Sequence, residues 1–391
     1  MLRSLYSGIS GLRSHQTMLD VTGNNIANVN TTGFKSSSVV FQDTLSQLTG
    51  NAAGSAAQTG GTNPAQVGLG VQVASIATNT TQGSLQATGK ATDVMIGGEG
   101  YFVVSQGGQQ FYTRAGGFEV DDQGRLKTSG GALLQGWPAV DGAVDTGAPL
   151  GTLNVVHTTA SPAVATTALG ASGNLPSDAA VGTVRSTEIT VYDAAGTARN
   201  FSLTFTNTAP GAWDVAADDG AGNTATASLS FTNGVQTGSA ALTVAGVTVD
   251  LDAITGYSGL NTAGLTTQDG RASGLMESFS IGQDGTVTAA YSNGARLAVG
   301  RIALADFANA GGLEKAGDSL YRASAASGTP SFVEPGTNGA STLASGYLEM
   351  SNVDLSQEFT NLIVAQRGFQ ANARIITTSD DVLQELTNLK R

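Results

Sequence analysis

Large apolar residues recur every seven positions at both ends of the chain. Leu5, Leu12, Leu19 and Ile26 form one ladder; Leu355, Leu362, Phe369, Ile376 and Leu383 form the other. Seven residues are about two helical turns, so each ladder lies on one face of a helix. The second row of each seam is weaker. Leu2 and Ile9 lead to Gln16 and Gly23, and Phe359 leads to Gln366, Ala373, Asp380 and Thr387. Gly8, Gly11, Gly23 and Gly368 interrupt the same patterns, each costing about 1 kcal/mol against Ala. Helices of this kind are marginal alone in water and need neighbours. The two ends can pair on one monomer, or pack among several copies. The apolar flank Ile363, Ile375, Val382, Leu386 and Leu389 exceeds what one partner helix covers. Ser7, Ser10 and Gly11 suit close approach of another backbone. Packing among many subunits is therefore the expectation.

The first helix is predicted to end between Gly23 and Gly33, where Asn24, Asn25, Asn28 and Asn30 tolerate left-handed backbone and bond their own chain. Extended structure is predicted from Phe34 through Val39, Val40 and Phe41. Residues 50–61 carry almost no large side chains and no periodicity, which predicts a flexible loop or arm. From Val71 onward, short strand patterns alternate with glycine-bearing turns, such as Gly107-Gly108 and Asn293-Gly294. That pace predicts sandwich- or barrel-like β-domains. If the ends meet, the middle must be nested. The fold class is accordingly α+β, mainly β, with long terminal helices pairing in a coiled-coil-like core domain and nested all-β middle domains. Residues 1–33 and 350–391 are assigned to the core domain and 34–70 to an extended connector and flexible arm. An inner β-domain takes 71–140 and 271–349, and an inserted outer β-domain 141–270.

Composition narrows the function. Charged residues make up 12% of the 391, about half the usual share. The net charge is −12, and because the terminal segments are near neutral the acidic excess falls on the middle. No basic patch with interleaved aromatics is present, which excludes nucleic-acid binding as a reading. With no cysteine, disulfides and thiolate chemistry are excluded. No apolar run reaches the length of a membrane span, so no membrane insertion is expected. Ser4, Ser7, Gly8, Ser10 and Gly11 interrupt the first segment, so passage out of the cell is expected to use no cleaved signal peptide.

Candidate chemistry is sparse. Gly83 to Lys90 (GSLQATGK) looks like a phosphate loop, but its first glycine is misplaced and Ala91 follows the lysine. Gly68-Leu69-Gly70 lacks the third glycine of a dinucleotide motif, Val73 standing there. No serine forms a nucleophile elbow. His15 reads as a polar helix residue and His157 as a strand-end residue, while Asp121-Asp122 and Asp218-Asp219 read as solvated turns. No enzyme activity, cofactor or metal is expected.

Leu5–Leu12 (LYSGISGL), Leu19-Asp20-Val21 and Asn24–Lys35 (NNIANVNTTGFK) resemble the N-terminal signature of bacterial flagellar rod and hook proteins. Ser351–Leu355 (SNVDL), Glu358-Phe359, Leu362-Ile363 and Ala365–Asn372 (AQRGFQAN) resemble their C-terminal signature. The likeness is closest to the hook members, through Val191–Gly196 and Ala305–Asn309 with Gly312-Leu313, and is weakest over 141–270. It implies a subunit of the flagellar hook, a curved helical tube that acts as a flexible joint and transmits torque from rod to filament. Implied partners are copies of itself, the distal rod protein, the hook cap, the hook–filament junction protein and the flagellar type III export apparatus. The implied location is the hook and basal body, outside the cell. Subunit contacts are expected at Leu5, Ile9, Leu12, Leu19, Ile26, Leu355, Phe359, Leu362, Phe369, Ile376 and Leu383, with Asn28, Gly33, Phe34 and Gly60 in the connector and arm. The segment from Leu45 to Gln66 is longer than in compact hook proteins and resembles in placement an arm of distal rod proteins. A distal-rod-type protein is thus the alternative, and a secreted adhesin or β-domain enzyme a further one.

Overall fold

The computed structural model describes residues 2–52, 54, 60–140, 142–155, 160–238, 241–337 and 341–388. Two compact units divide the chain. One comprises Met1–Val155, Ser280–Thr288 and Ala298–Arg391, and the other Val156–Phe279 and Ala289–Leu297.

In the first unit, helices α1 (Leu2–Ala27) and α2 (Leu355–Asn388) pack against each other. Gly8 lies against Ile376, Gly11 against Asn372 and His15 against Gly368, so the pair is antiparallel. The residues α1 buries are Gly8, Gly11, Ser14, Thr22 and Asn25, and α2 buries Ala365. Apart from Ile375 and Ile376 against Gly8, the buried positions of the helix pair are small or polar, and the leucine ladder of α1 stands beside them. Glycine has no Cβ, so the helix axes approach more closely than leucine ridges allow. The neighbour that Gly11 admits is thus the chain's own second helix. Asp354 caps α2, its carboxylate accepting from the backbone N–H of Ser356 at 2.8 Å and of Gln357 at 3.2 Å.

Beyond α1, Ser37–Asp43 pairs antiparallel with Val71–Thr78, with a bulge at Val40/Phe41. Ser46–Gly50 then pairs with Ala65–Gly68. Of the segment 34–70, read from sequence as an extended connector and flexible arm, the stretches on either side of the arm pair as a β-hairpin that continues to Thr78, and residues 53 and 55–59 of the arm lie outside the described residues. The sparse side chains near residue 50 carry no strand pattern, yet the backbone pairs on both sides of them. The hairpin base rests on α1, where the Ser10 hydroxyl accepts from the Val71 N–H at 3.2 Å and His15 meets the edge of Phe41.

The β body of this unit centres on the hairpin Tyr101–Gln106/Gln109–Thr113. Gly107 and Gly108 both have positive φ, as the tight turn between twisted strands requires. Tyr101, Val103, Tyr112, Trp137, Ala305, Phe307 and Tyr321 share one core. Ala143–Val144 and Gly151–Thr152 pair with Leu133–Val140. That pairing keeps residues 143–155 in the first unit, where the sequence reading begins the outer domain at 141.

The second unit has a five-stranded antiparallel sheet running in chain order from Val184–Tyr192 to Val235–Gln236. A four-stranded sheet includes Ala168–Asn174 paired parallel to Val247–Thr255. Phe201, Leu203, Phe205, Trp213 and Val215 share a core with Leu169, Leu242, Val249 and Leu251. Along Ala212–Asp218 buried and exposed residues alternate, the mark of a sheet with one face inside.

The helix seam is open to a direct test. In Gly368→Ala the new Cβ would lie 2.5 Å from the His15 ring, so the ring must leave its place. Overpacking costs of about 1–3 kcal/mol outweigh a helix-propensity gain of about 1 kcal/mol. Faster amide exchange across α1 and α2 is expected, with the β-sheets unchanged. Slower helix exchange in this variant would contradict the seam.

Candidate functional site

Two features of the first unit stand apart from ordinary packing. One is a buried polar junction where the chain's two ends meet the β body. The other is a helix with apolar side chains exposed along its flanks.

The junction begins at Gly33, whose φ of +67° and contact with the backbone of Arg114 and Ala115 leave no room for a side chain. Its N–H donates to the Glu349 carbonyl at 2.8 Å. Two residues on, the Lys35 ammonium donates to Glu349 Oε1 at 2.6 Å and to the Thr81 carbonyl at 2.7 Å. Glu349 Oε1 also accepts from the Gly83 N–H at 2.9 Å, and Oε2 from Arg114 at 3.3 Å. Arg114 donates to the Gly98 carbonyl at 2.8 Å and lies over the Tyr101 ring. Lys35 and Glu349 are each 1% exposed and Arg114 is 4% exposed. Such charges are tolerated inside a protein only when paired and hydrogen-bonded. Burial pushes the Lys35 ammonium below the ordinary lysine range, and the Glu349 carboxylate opposes that shift.

The exposed apolar side chains belong to α2. Leu355, Phe359, Ile363, Val364, Ile375, Val382 and Leu383 are all exposed, Phe359 by 52% and Ile363 by 56%. By helical spacing Leu355, Phe359 and Ile363 share one flank of α2, and Val364, Ile375 and Val382 another. Burying each such side chain is worth about 1.5–3 kcal/mol, and exposed apolar stripes of this kind mark interaction surfaces. The hairpin adds Leu45, Leu48, Val67 and Ile76, of which Leu45 is 84% exposed.

Of the residues singled out from sequence, Leu5, Ile9, Leu12, Leu19 and Ile26 on α1 are half-buried. On α2, Leu362, Phe369 and Ile376 are half-buried while Leu355, Phe359 and Leu383 face outward. Asn28 closes the end of α1, donating to the Asn24 carbonyl at 2.9 Å. Phe34 lies under the Lys315 ammonium at 4.9 Å. A side chain at Gly60 would point into open space, and Gly60 is not brought to the others. His157 lies outside the described residues. Asp121 and Asp219 each accept two backbone N–H groups from their own turns. Leu85–Ala87, inside the glycine-flanked GSLQATGK stretch, is a strand paired with Tyr347–Glu349. Among the described residues no cluster of three or more metal-ligating side chains is found. Sequence reasoning missed Arg114 and Glu349, and took Lys35 only as the end of a motif. Of the three only Glu349, between Leu348 and Met350, has apolar neighbours on both sides, and that was the available signal.

Ends clamped to the body, with exposed apolar flanks on the helix beside them, suit a chain that packs against further surface. Comparison with known proteins agrees. Residues 5–35 match the family described as flagella basal body rod protein, and 95–185 the flagellar hook protein FlgE/F/G D1 domain. Residues 344–389 match the flagellar basal body rod FlgEFG protein C-terminal family. The chain is 38% identical to the flagellar hook protein FlgE of Borreliella burgdorferi, with all of both chains covered. It is 35% identical to the flagellar basal-body rod protein FlgG of Bacillus subtilis, again with all of both covered. The crystal structure of the Helicobacter pylori flagellar hook protein FlgE2 shares the fold, with a TM-score of 0.52 at 16% identity over 68% of this chain and 100% of that one. The chain belongs to the family of flagellar hook and basal-body rod proteins.

Removing one partner of a buried ion pair strands the other, at a cost of about 3–5 kcal/mol. Lys35→Met should lower the urea midpoint accordingly. The triple variant Lys35→Met, Arg114→Leu, Glu349→Leu should recover much of the loss, because no charge is then left inside. A triple variant less stable than the single one would show that the cluster does more than neutralise itself.

Proposed function

We propose that this chain is the structural subunit of the flagellar hook, polymerising into a curved tube that passes torque from rod to filament. The observation that carries this reading is the exposed apolar flanks of α2, Leu355, Phe359 and Ile363 on one and Val364, Ile375 and Val382 on the other. In the assembled tube, α1 and α2 form the helical core domain, with Leu5, Ile9, Leu12, Leu19 and Ile26 meeting other copies beside the α2 ladder. The β body of the first unit forms the inner domain and the second unit the outer one. Its partners are copies of itself, the distal rod protein, the hook cap, the hook–filament junction protein and the export apparatus. The working location is outside the cell, reached through the flagellar export route without a cleaved signal peptide, and no catalytic role is assigned. Scarce charge suits a bending joint, since contacts of Gly, Ala, Ser and Thr can slide where bidentate ion pairs would fix one register.

A distal-rod role is the second reading, favoured by the full-length likeness to a rod protein. Electron microscopy of tubes grown from the purified chain separates the two: curved tubes support the hook, straight ones the rod.

Two variants test the assembly itself. Phe359→Asn with Ile363→Asn should leave a folded monomer, with unchanged β-sheet circular dichroism, that no longer polymerises. Polymerisation at the wild-type rate would overturn the role given to α2. Deleting residues 49–65, the hairpin tip, should give a more bendable or less stable tube. Unchanged curvature and stiffness would remove the arm from the account.

A further inference from the structure

Two stretches of backbone, residues 28–36 and 350–354, lead from the helix pair to the strands of the first unit, one into the hairpin strand Ser37–Asp43 and the other from the strand Tyr347–Glu349. Two unsupported single strands would swivel about their φ and ψ angles, and a twisting load would be lost there. Polar side chains from both ends of the chain tie these strands together. Asn25, 1% exposed, donates from Nδ2 to the Ser37 carbonyl at 2.7 Å and to Glu358 Oε1 at 3.1 Å. Its Oδ1 accepts from the Ser37 N–H at 3.0 Å. One side chain thereby joins α1, α2 and the first hairpin strand. Asn352 accepts from the Ser36 N–H at 2.8 Å and donates to the Asn79 and Thr81 carbonyls at 2.9 and 3.0 Å. Its own N–H donates to the Phe34 carbonyl at 3.4 Å. Glu349 adds its bonds to Gly33, Lys35 and Gly83.

We infer that Asn25, Asn352 and Glu349 form a torsional lock that couples the helix pair rigidly to the β body. The two terminal signatures thus serve the stiffness of the single subunit, in addition to whatever contacts the helices make between subunits. The amides are bidentate, satisfying donor and acceptor groups of different segments at once. That fixes a relative orientation, which a single hydrogen bond does not. The inference deepens the proposed hook role and names the residues through which load leaves the helical core.

The test uses the full-length chain with Asn25→Ala, Asn352→Ala and, as a control, Asn24→Ala on the exposed side of α1. In the monomer, the amides of Ser36 and Ser37 should exchange roughly tenfold faster or more in the first two variants and not in the control. Tubes of wild-type diameter should form from all three. The torsional compliance of single tubes, read from the twist fluctuations of an attached bead, should rise in the first two only. Asn352→Asp keeps the acceptor for Ser36 and loses the donors to Asn79 and Thr81. It should fall between wild type and Asn352→Ala, and it carries the test if the alanine variant does not fold. Variant tubes as stiff as wild type would overturn the lock. So would folded variants that fail to form tubes, since the asparagines would then be assembly contacts. If the wild-type chain forms no tubes, the hook role fails, and the exchange measurement still decides whether the ties hold the junction.

Discussion

A carboxylate with almost no access to water sets the terms for the first unit. Glu349 is held by an ammonium, a guanidinium and a backbone N–H from three separate segments. Desolvating one carboxylate costs several kcal/mol before any partner arrives, so each of those segments has essentially one position in which the charge is compensated. The cluster contributes specificity more than net stability. It aligns the strand after α1, the strand before α2 and the core hairpin, and every element outward from it inherits that alignment.

The helix pair follows a different logic. Its own seam consumes the glycines, serine, threonine and asparagine of α1, which gain little by burial but allow close approach. The large apolar residues remain on the flanks, where they gain most when further surface arrives. A monomer whose weakest packing is spent internally and whose strongest is kept outward is stable enough to fold and incomplete enough to assemble.

Much of this was legible in the sequence. The seven-residue ladders gave both helices, because helical periodicity depends on local spacing alone. Gly107-Gly108 gave the central hairpin, because only that backbone fits the turn. Legibility failed where distant residues decide. The strands Ser37–Asp43 and Val71–Thr78 carry valine, isoleucine and phenylalanine, but their pairing joins segments separated by the arm, which no local signal encodes. Glu349 lies in a strand with no visible polar pattern, and its partner Lys35 is 314 positions away. The sequence marks Gly11 as suited to close approach of another backbone, and only the structure shows that this backbone is the chain's own α2. The second unit's division into two sheets requires the parallel pairing of Ala168–Asn174 with Val247–Thr255, a contact that no local signal encodes.

The same distance between Lys35 and Glu349 governs the order of events during folding. The second unit is drawn from Val156–Phe279 and the nearby Ala289–Leu297, so it needs neither end of the polypeptide. The first unit needs both. Whichever extremity leads, its ammonium and carboxylate cannot meet until nearly the whole polypeptide has emerged, and closing so wide a loop is entropically slow. A partly delivered molecule therefore stays open at its root, and becomes competent to join others only when its last residues arrive.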